Sequence, residues 1–255
     1  MTDNKTWSDY KNIMCNDILI PCELNGELPL VVGTDGKTAI IKMLGTDIRD
    51  GVIITGGIEH GVHDYIKFLI ALYTEKYTTK EMIIWISDCY RDMKYIWEQC
   101  PMLDAYYSKE DCITYRPFDK LRRECERRRE LVHKYGNVEN YNSTNPEVKL
   151  PDILAVYLDV NTMLSYYTGT ERLMVLNELQ YVLTHGNNLG IHIILTENMD
   201  EISIPMFVRN LFNLKLDMSS LKDSISIFDD NKTYALIDTP KLSDEQYFQS
   251  CKNNM

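Results

Sequence analysis

No apolar run in this sequence approaches the ~18 residues that a membrane-spanning helix needs. No C-x-x-C pair occurs among the seven cysteines (15, 22, 89, 100, 112, 125 and 251), so zinc ribbons and redox motifs are not expected. Several of these cysteines lie inside apolar runs, as buried free thiols do, which fits a reducing compartment such as cytoplasm. Positive charge is also short: 27 Lys and Arg face 38 Asp and Glu, a formal net charge of −11. Such a chain repels a phosphate backbone, and no nucleic-acid partner is expected. The opening "MTDNKTWSDYKN" has neither a basic n-region nor an apolar h-region, so it does not read as a signal peptide. Internal repeats and low-complexity tracts are absent as well.

What is present is the composition of an ordinary soluble globular protein, 44% hydrophobic and 25% charged over 255 residues. That length suits one large domain or two small ones. Residues 1 to 28 are polar and irregular, in the manner of a linker. "LPLVVGTDGKTAIIK" (28 to 42) predicts a hairpin turning at Asp35-Gly36. "GVIIT" (51 to 55), "EMIIWIS" (81 to 87), "DILAVYLD" (152 to 159) and "IHIILT" (191 to 196) read as short buried strands, and "LFNLKL", "SISIF" and "TYALID" as further ones. Between them, "VHDYIKFLIALYTEKY", residues 116 to 136 and residues 170 to 186 carry helical periodicity, the last with Thr170 as N-cap and Gly186 as C-cap. "NVENYNSTNPEVKLP" reads as a polar loop. Uniformly apolar strands alternating with amphipathic helices predict an α/β fold, a mostly parallel sheet covered on both faces. Ligands in such folds bind at the carboxyl ends of the strands, where the 56–61 loop, Asp159 and Thr196 all fall.

The 56–61 loop belongs to "GGIEHGVH", which has the glycine frame of a phosphate-binding P-loop, G-x-x-x-x-G-K-[ST]. Gly56, Gly57 and Gly61 can still supply a backbone wrap and a helix N-terminus. Val62, however, stands where the lysine belongs, and His63 replaces the hydroxyl that would hold Mg²⁺. Glu59 adds a carboxylate inside the loop. Losing the cation removes on the order of two charge-assisted bonds at ~1.5–3 kcal/mol each, so ATP–Mg²⁺ is expected to bind weakly or not at all. The glycine frame by itself also describes a plain strand–turn–helix corner. Asp159 either holds Mg²⁺ through water or caps the element that follows it, and Val160 sits where an acid would polarise water. His60 and His63 are three apart but have no evident third ligand, so no metal is expected. Along 116–136, Arg122–Glu126, Glu124–Arg128 and Glu130–Lys134 form i,i+4 pairs, which reads as a self-paired solvated face.

Four segments together carry a resemblance over roughly residues 28 to 240. They are "LPLVVGTDGKTAIIKML", "IITGGIEHGVHDYIKFLIALY", "ECERRRELVHKYGNVENYN" followed by "LPDILAVYLDVNTML", and "GNNLGIHIILTEN". In order and spacing this resembles the FtsK/SpoIIIE family of P-loop ATPases. The resemblance implies a RecA-like P-loop NTPase fold preceded by a β-hairpin. It also implies a nucleotide site at Gly56, Gly57, Gly61, Val62, His63, Asp159 and Thr196. Val62, His63, Val160 and Glu197 depart from the family pattern, and each departure removes catalytic chemistry. "IIWISDCYRDMKYIWEQCPML" is similar to the type VII secretion coupling ATPases EssC and EccC, membrane proteins with three tandem cytoplasmic ATPase modules. The chain looks most like a terminal, degenerate module of that kind from a Gram-positive bacterium.

The resemblance then implies a linker at 1–27, the ATPase-fold domain at 28–240 and a tail at 241–255, in a cytoplasmic part of a cell-membrane protein. Implied partners are secretion substrates of the small helical WXG type, neighbouring ATPase modules of the same chain, and further copies in a homo-hexamer. The leading expectation is a pseudo-ATPase that recognises or gates substrates, without a cofactor. The alternative is an active motor completed by an arginine in trans, Arg209 or Arg172. A nicotinamide or methyl-donor enzyme would need a G-x-G-x-x-G loop that this sequence lacks.

Overall fold

In the computed structural model the described residues are 29–34, 37–42, 51–89, 93–198, 204–212, 214–218, 224–229, 232–237 and 242–253. The expected hairpin is present as β1 (Pro29–Thr34) and β2 (Lys37–Lys42), antiparallel, with Thr34 opposite Lys37. The linker reading of residues 1–27 lies outside the described residues.

Then the chain alternates. β3 (Gly51–Thr55) leads into α1 (Val62–Lys76), and β4 (Met82–Asp88) into the short α2 (Lys94–Trp97). β5 (Leu103–Tyr107) is followed by α3 (Lys109–Thr114), α4 (Pro117–Val132) and α5 (Val138–Thr144). β6 (Asp152–Leu158) precedes α6 (Val160–Ser165) and α7 (Gly169–His185), and β7 (Ile191–Glu197) precedes α8 (Met206–Arg209). β8 (Leu214–Asp217), β9 (Ser224–Asp229), β10 (Lys232–Ile237) and α9 (Asp244–Asn253) complete the order.

The eight strands from β3 onward form one sheet in the order β10-β9-β8-β3-β7-β6-β4-β5. The six from β8 to β5 are parallel, and β9 and β10 extend the sheet antiparallel. Because strand side chains alternate between faces, β6 divides its apolar residues. Leu154, Val156 and Leu158 meet α1 and α9, whereas Ile153, Ala155 and Tyr157 meet α4 and α7. β3 does the same with Val52 and Ile54 on one side and Ile53 on the other. Burial on both faces is why these strands read as continuous apolar runs.

Several local readings need correction. The run 138–144, taken as loop from its polarity, is helical. Asn137 caps it by accepting from Asn140 N (2.8 Å), and Asn142 pairs both ways with the Leu150 backbone, supplying the order that apolar residues would otherwise provide. β5 went unread because its burial is partial and its sequence, Leu-Asp-Ala-Tyr-Tyr, is short. α7 starts at Gly169 with Thr168 as N-cap rather than Thr170. α4 stops at Val132, four residues before Gly136. Residues 242–253, set apart in sequence as a tail, carry α9, whose Tyr247 and Cys251 are buried against α1. Lys67 of α1 is buried between Asp64 (2.7 Å) and Asp244 (2.5 Å) and fastens α9 to it.

The charged face of α4 is also not wholly solvated. Arg122–Glu126 (2.5 Å) and Glu124–Arg128 (2.8 Å) form as expected. Arg128, however, is only 1% exposed. Its guanidinium donates to the carbonyls of Leu189 (2.8 Å), Gly190 (3.3 Å) and Pro151 (2.6 Å), at the amino ends of β6 and β7. One planar fork thus ties a helix to the amino ends of two central strands through their carbonyls. The five cysteines in the described residues, Cys89, Cys100, Cys112, Cys125 and Cys251, are buried and free.

Candidate functional site

β3 and β7 lie side by side, yet their connections leave in opposite directions, β3 toward β4 through α1 and β7 back to β8 through α8. Divergence of neighbouring connections opens a crevice at the carboxyl ends of a parallel sheet. A cleft of about 220 Å³ lies there, lined by Gly56, Gly57, Ile58, Glu59, Val62, His63, Asp159, Thr196, Glu197 and Asn198. Of the residues proposed from sequence, the fold brings together Gly56, Gly57, Val62, His63, Asp159 and Thr196. Gly61 stands behind them as the left-handed residue (φ 77°) that turns the loop into α1. Only glycine takes that conformation without cost.

Three of the loop's N–H groups bond within it and a fourth bonds the neighbouring strand. Gly56 N donates to Glu197 O (2.9 Å), which joins the two strand ends. Gly57 N donates to His60 Nδ1 (3.1 Å), His60 N to Gly57 O (3.1 Å) and Gly61 N to Ile58 O (2.8 Å). Since Nδ1 accepts from Gly57, it has no proton to give Glu59 Oε1, 3.2 Å away, and that contact is not an ion pair. The Glu59 carboxylate folds back over the loop: a Cβ placed on Gly57 would lie 2.0 Å from its Oε1. His60 is therefore committed to the loop backbone, and among the described residues no group of three metal ligands occurs.

Asp159 is the only non-glycine residue with positive φ (53°) among the described residues. That conformation aims its carboxylate at α6, where it accepts from Thr162 N (3.2 Å) and Thr162 Oγ1 (2.8 Å). Of the two roles open to it from sequence, capping is the one its hydrogen bonds perform. Thr196 accepts from Asp159 N at 2.8 Å. Val160 is 0% exposed and Val62 1% exposed, both in the apolar core.

Sequence reasoning did not anticipate the network around Glu197. Its Oε1 accepts from Thr55 Oγ1 (2.9 Å) and pairs with Arg209 Nη1 (2.5 Å). Burial raises the Glu197 carboxyl above its ordinary range, while Arg209 and Thr55 pull it partly back. No spacing rule joins residues 55, 197 and 209; the strand order does. Arg209 is held by Glu197 of its own chain.

ATP–Mg²⁺ would bring further negative charge to this cleft. Among the described residues the lining holds three carboxylates, Glu59, Asp159 and Glu197, and no lysine or arginine. At an effective dielectric of about 20, like charges roughly 5 Å apart repel by about 3 kcal/mol. The volume also falls below the ~300 Å³ at which small-molecule pockets generally begin.

No family model matches the sequence, and no curated protein is similar to it. Solved structures are similar in fold. EssC (ATPases 2 and 3) from Geobacillus thermodenitrificans superposes with a TM-score of 0.71 at 15% identity, over 89% of this chain and 48% of that one. The cytoplasmic domain of the type VII secretion ATPase EccC from Thermomonospora curvata gives 0.73 at 12% identity, over 89% of this chain and 31% of its own. A structure of its ATPases 2 and 3 with a signal sequence peptide gives 0.71 at 16%, over 90% and 47%. The pCW3 conjugation coupling protein TcpA, solved with ATPγS, gives 0.72 at 11%, over 91% and 72%. This chain spans about half the length of the EssC structure it matches. It shares its α/β fold with the ATPase modules of EssC and EccC.

Proposed function

We propose that this chain is a catalytically silent ATPase module of a type VII secretion coupling protein, acting in recognition of export substrates or in regulation of their export. The observation that carries this reading is the cleft between β3 and β7. It lies at the glycine loop, where the resemblance expects a lysine at Val62 and an acid at Val160; both valines are buried core residues, and Glu59 lies over the loop. EccC has been solved with a signal sequence peptide, which supports a partner of the WXG secretion class here. The EssC and EccC structures hold two ATPases each, which supports neighbouring modules of the same longer chain as further contacts. We place the module on the cytoplasmic side of a cell membrane, within an assembly of several copies.

Isothermal titration with ATP–Mg²⁺ tests the proposal directly. No saturable heat and no phosphate release are expected. Micromolar binding with turnover would overturn it. An active motor is the competing reading, favoured by the ATPγS in TcpA, a protein of the same fold. It requires hydrolysis that appears on oligomerisation and disappears in Asp159→Ala.

A further inference from the structure

Among the described residues the cleft is short of positive charge, and one carboxylate oxygen of a lining residue is short of a donor. Glu197 lines it and is 2% exposed. Thr55 and Arg209 both bind Oε1, while Oε2 is buried and receives no hydrogen bond. Buried polar atoms are nearly always paired, so an unpartnered carboxylate oxygen in a lined cleft marks a missing donor. Two more carboxylates share the lining. Glu59 is exposed and has no lysine or arginine beside it among the described residues, and Asp159 spends its oxygens on neutral donors of Thr162. Arg209 thus offsets one of three negative charges.

We propose that this cleft, rather than admitting a phosphate, receives an organic cation: a guanidinium or primary ammonium group that donates to Glu197 Oε2 and is flanked by Glu59 and Asp159. The inference rests on the reading of the module as catalytically silent and names the ligand chemistry of that same site. A cleft of about 220 Å³ suits the head and first methylenes of an arginine or lysine side chain. Planar guanidinium groups match carboxylates through paired N–H donors, and burial strengthens such bonds. The same chemistry occurs in an arginine side chain of a polypeptide and in a free diamine.

Agmatine, N-acetyl-arginine amide and putrescine are therefore titrated separately against the ¹⁵N-labelled protein, with N-butylurea as the uncharged control. Saturable shifts at the Gly56, Gly57 and Asn198 amides are expected with a cation and not with the urea. Affinity should fall at least about tenfold in Glu197→Gln and by roughly three- to tenfold in Glu59→Gln. Glu59 is surface-exposed, so its variant keeps the fold if Glu197→Gln loses it. Binding of acetyl-arginine amide identifies a polypeptide side chain, and binding of putrescine alone a free diamine; either upholds the site. No saturable binding of any cation, or binding unchanged in both variants, overturns it. ATP–Mg²⁺ is titrated alongside: if neither ATP nor cations bind, only the cation site falls, whereas ATP binding with turnover overturns the silent-module reading.

Discussion

Arg209→Met should destabilise this protein by an amount that depends on pH in a defined direction. Arg209 is the cation paired with Glu197 Oε1, and Glu197 is 98% buried by its 2% exposure. Without Arg209 the carboxylate keeps only the Thr55 hydroxyl as a donor on Oε1. A buried, unpaired charge costs roughly 3–5 kcal/mol, but the carboxyl can escape by taking a proton. That escape costs about 1.4 kcal/mol for each pH unit above the ordinary value of 4.5. The loss is thereby capped at about 3 kcal/mol at pH 7 and below about 1 kcal/mol at pH 5.

The sign follows from the direction of the shift. Burial already holds the folded-state carboxyl above 4.5, so below that pH both folded and unfolded chains carry the proton and nothing is lost. As pH rises through the folded-state value, the penalty of charging the buried group grows. Removing Arg209 raises that value further and extends the penalty toward neutral pH. For a chain of this length 1 kcal/mol corresponds to roughly 2–4 °C, so the Tm deficit should be about 6–12 °C at pH 7 and about 2 °C at pH 5. Thermal melts by circular dichroism at the two pH values measure it. A second variant carrying both Glu197→Gln and Arg209→Met should recover most of the neutral-pH deficit. An equal deficit at both pH values would mean that Arg209 acts by packing, and no deficit at pH 7 would refute the pairing.

Arg128→Met should cost roughly 1–3 kcal/mol for each of the Leu189 and Pro151 carbonyls that loses its donor, while Glu124 keeps Arg127; a Tm loss under about 3 °C would contradict this. Restoring the loop with Val62→Lys and His63→Thr should yield no phosphate release in a colorimetric assay, since Val160 leaves no acid to polarise water; turnover would place the acid elsewhere. Lys67→Met should loosen α9, which hydrogen exchange will report as faster exchange across 244–253; unchanged protection would show that Tyr247 and Cys251 hold the helix without the ion pairs.

The division between sequence and tertiary structure is instructive at particular residues. Val52, Ile53 and Ile54, or Ile191 to Leu195, announce buried parallel strands because no face of them is left for water. Gly61 announces a turn because only glycine reaches its φ without strain, and the glycine frame with Asp159 and Thr196 announces the crevice at the strand ends. α5 stayed hidden because its order comes from asparagine side chains bonding backbone, which has no apolar period to read. The burial of Arg128 stayed hidden because its acceptors lie 23 to 62 residues away along the chain.

By itself, then, the sequence determined the strands, the glycine loop and the aliphatic residues Val62 and Val160 beside it, since these follow from local composition and period. Only the tertiary structure decided that Glu59 folds over the loop, that Asp159 caps α6, and that Thr55, Glu197 and Arg209 form one buried network. Those outcomes depend on which strands become neighbours and which way each carboxylate turns, and electrostatic contacts across a sheet leave no periodic trace in the chain that makes them.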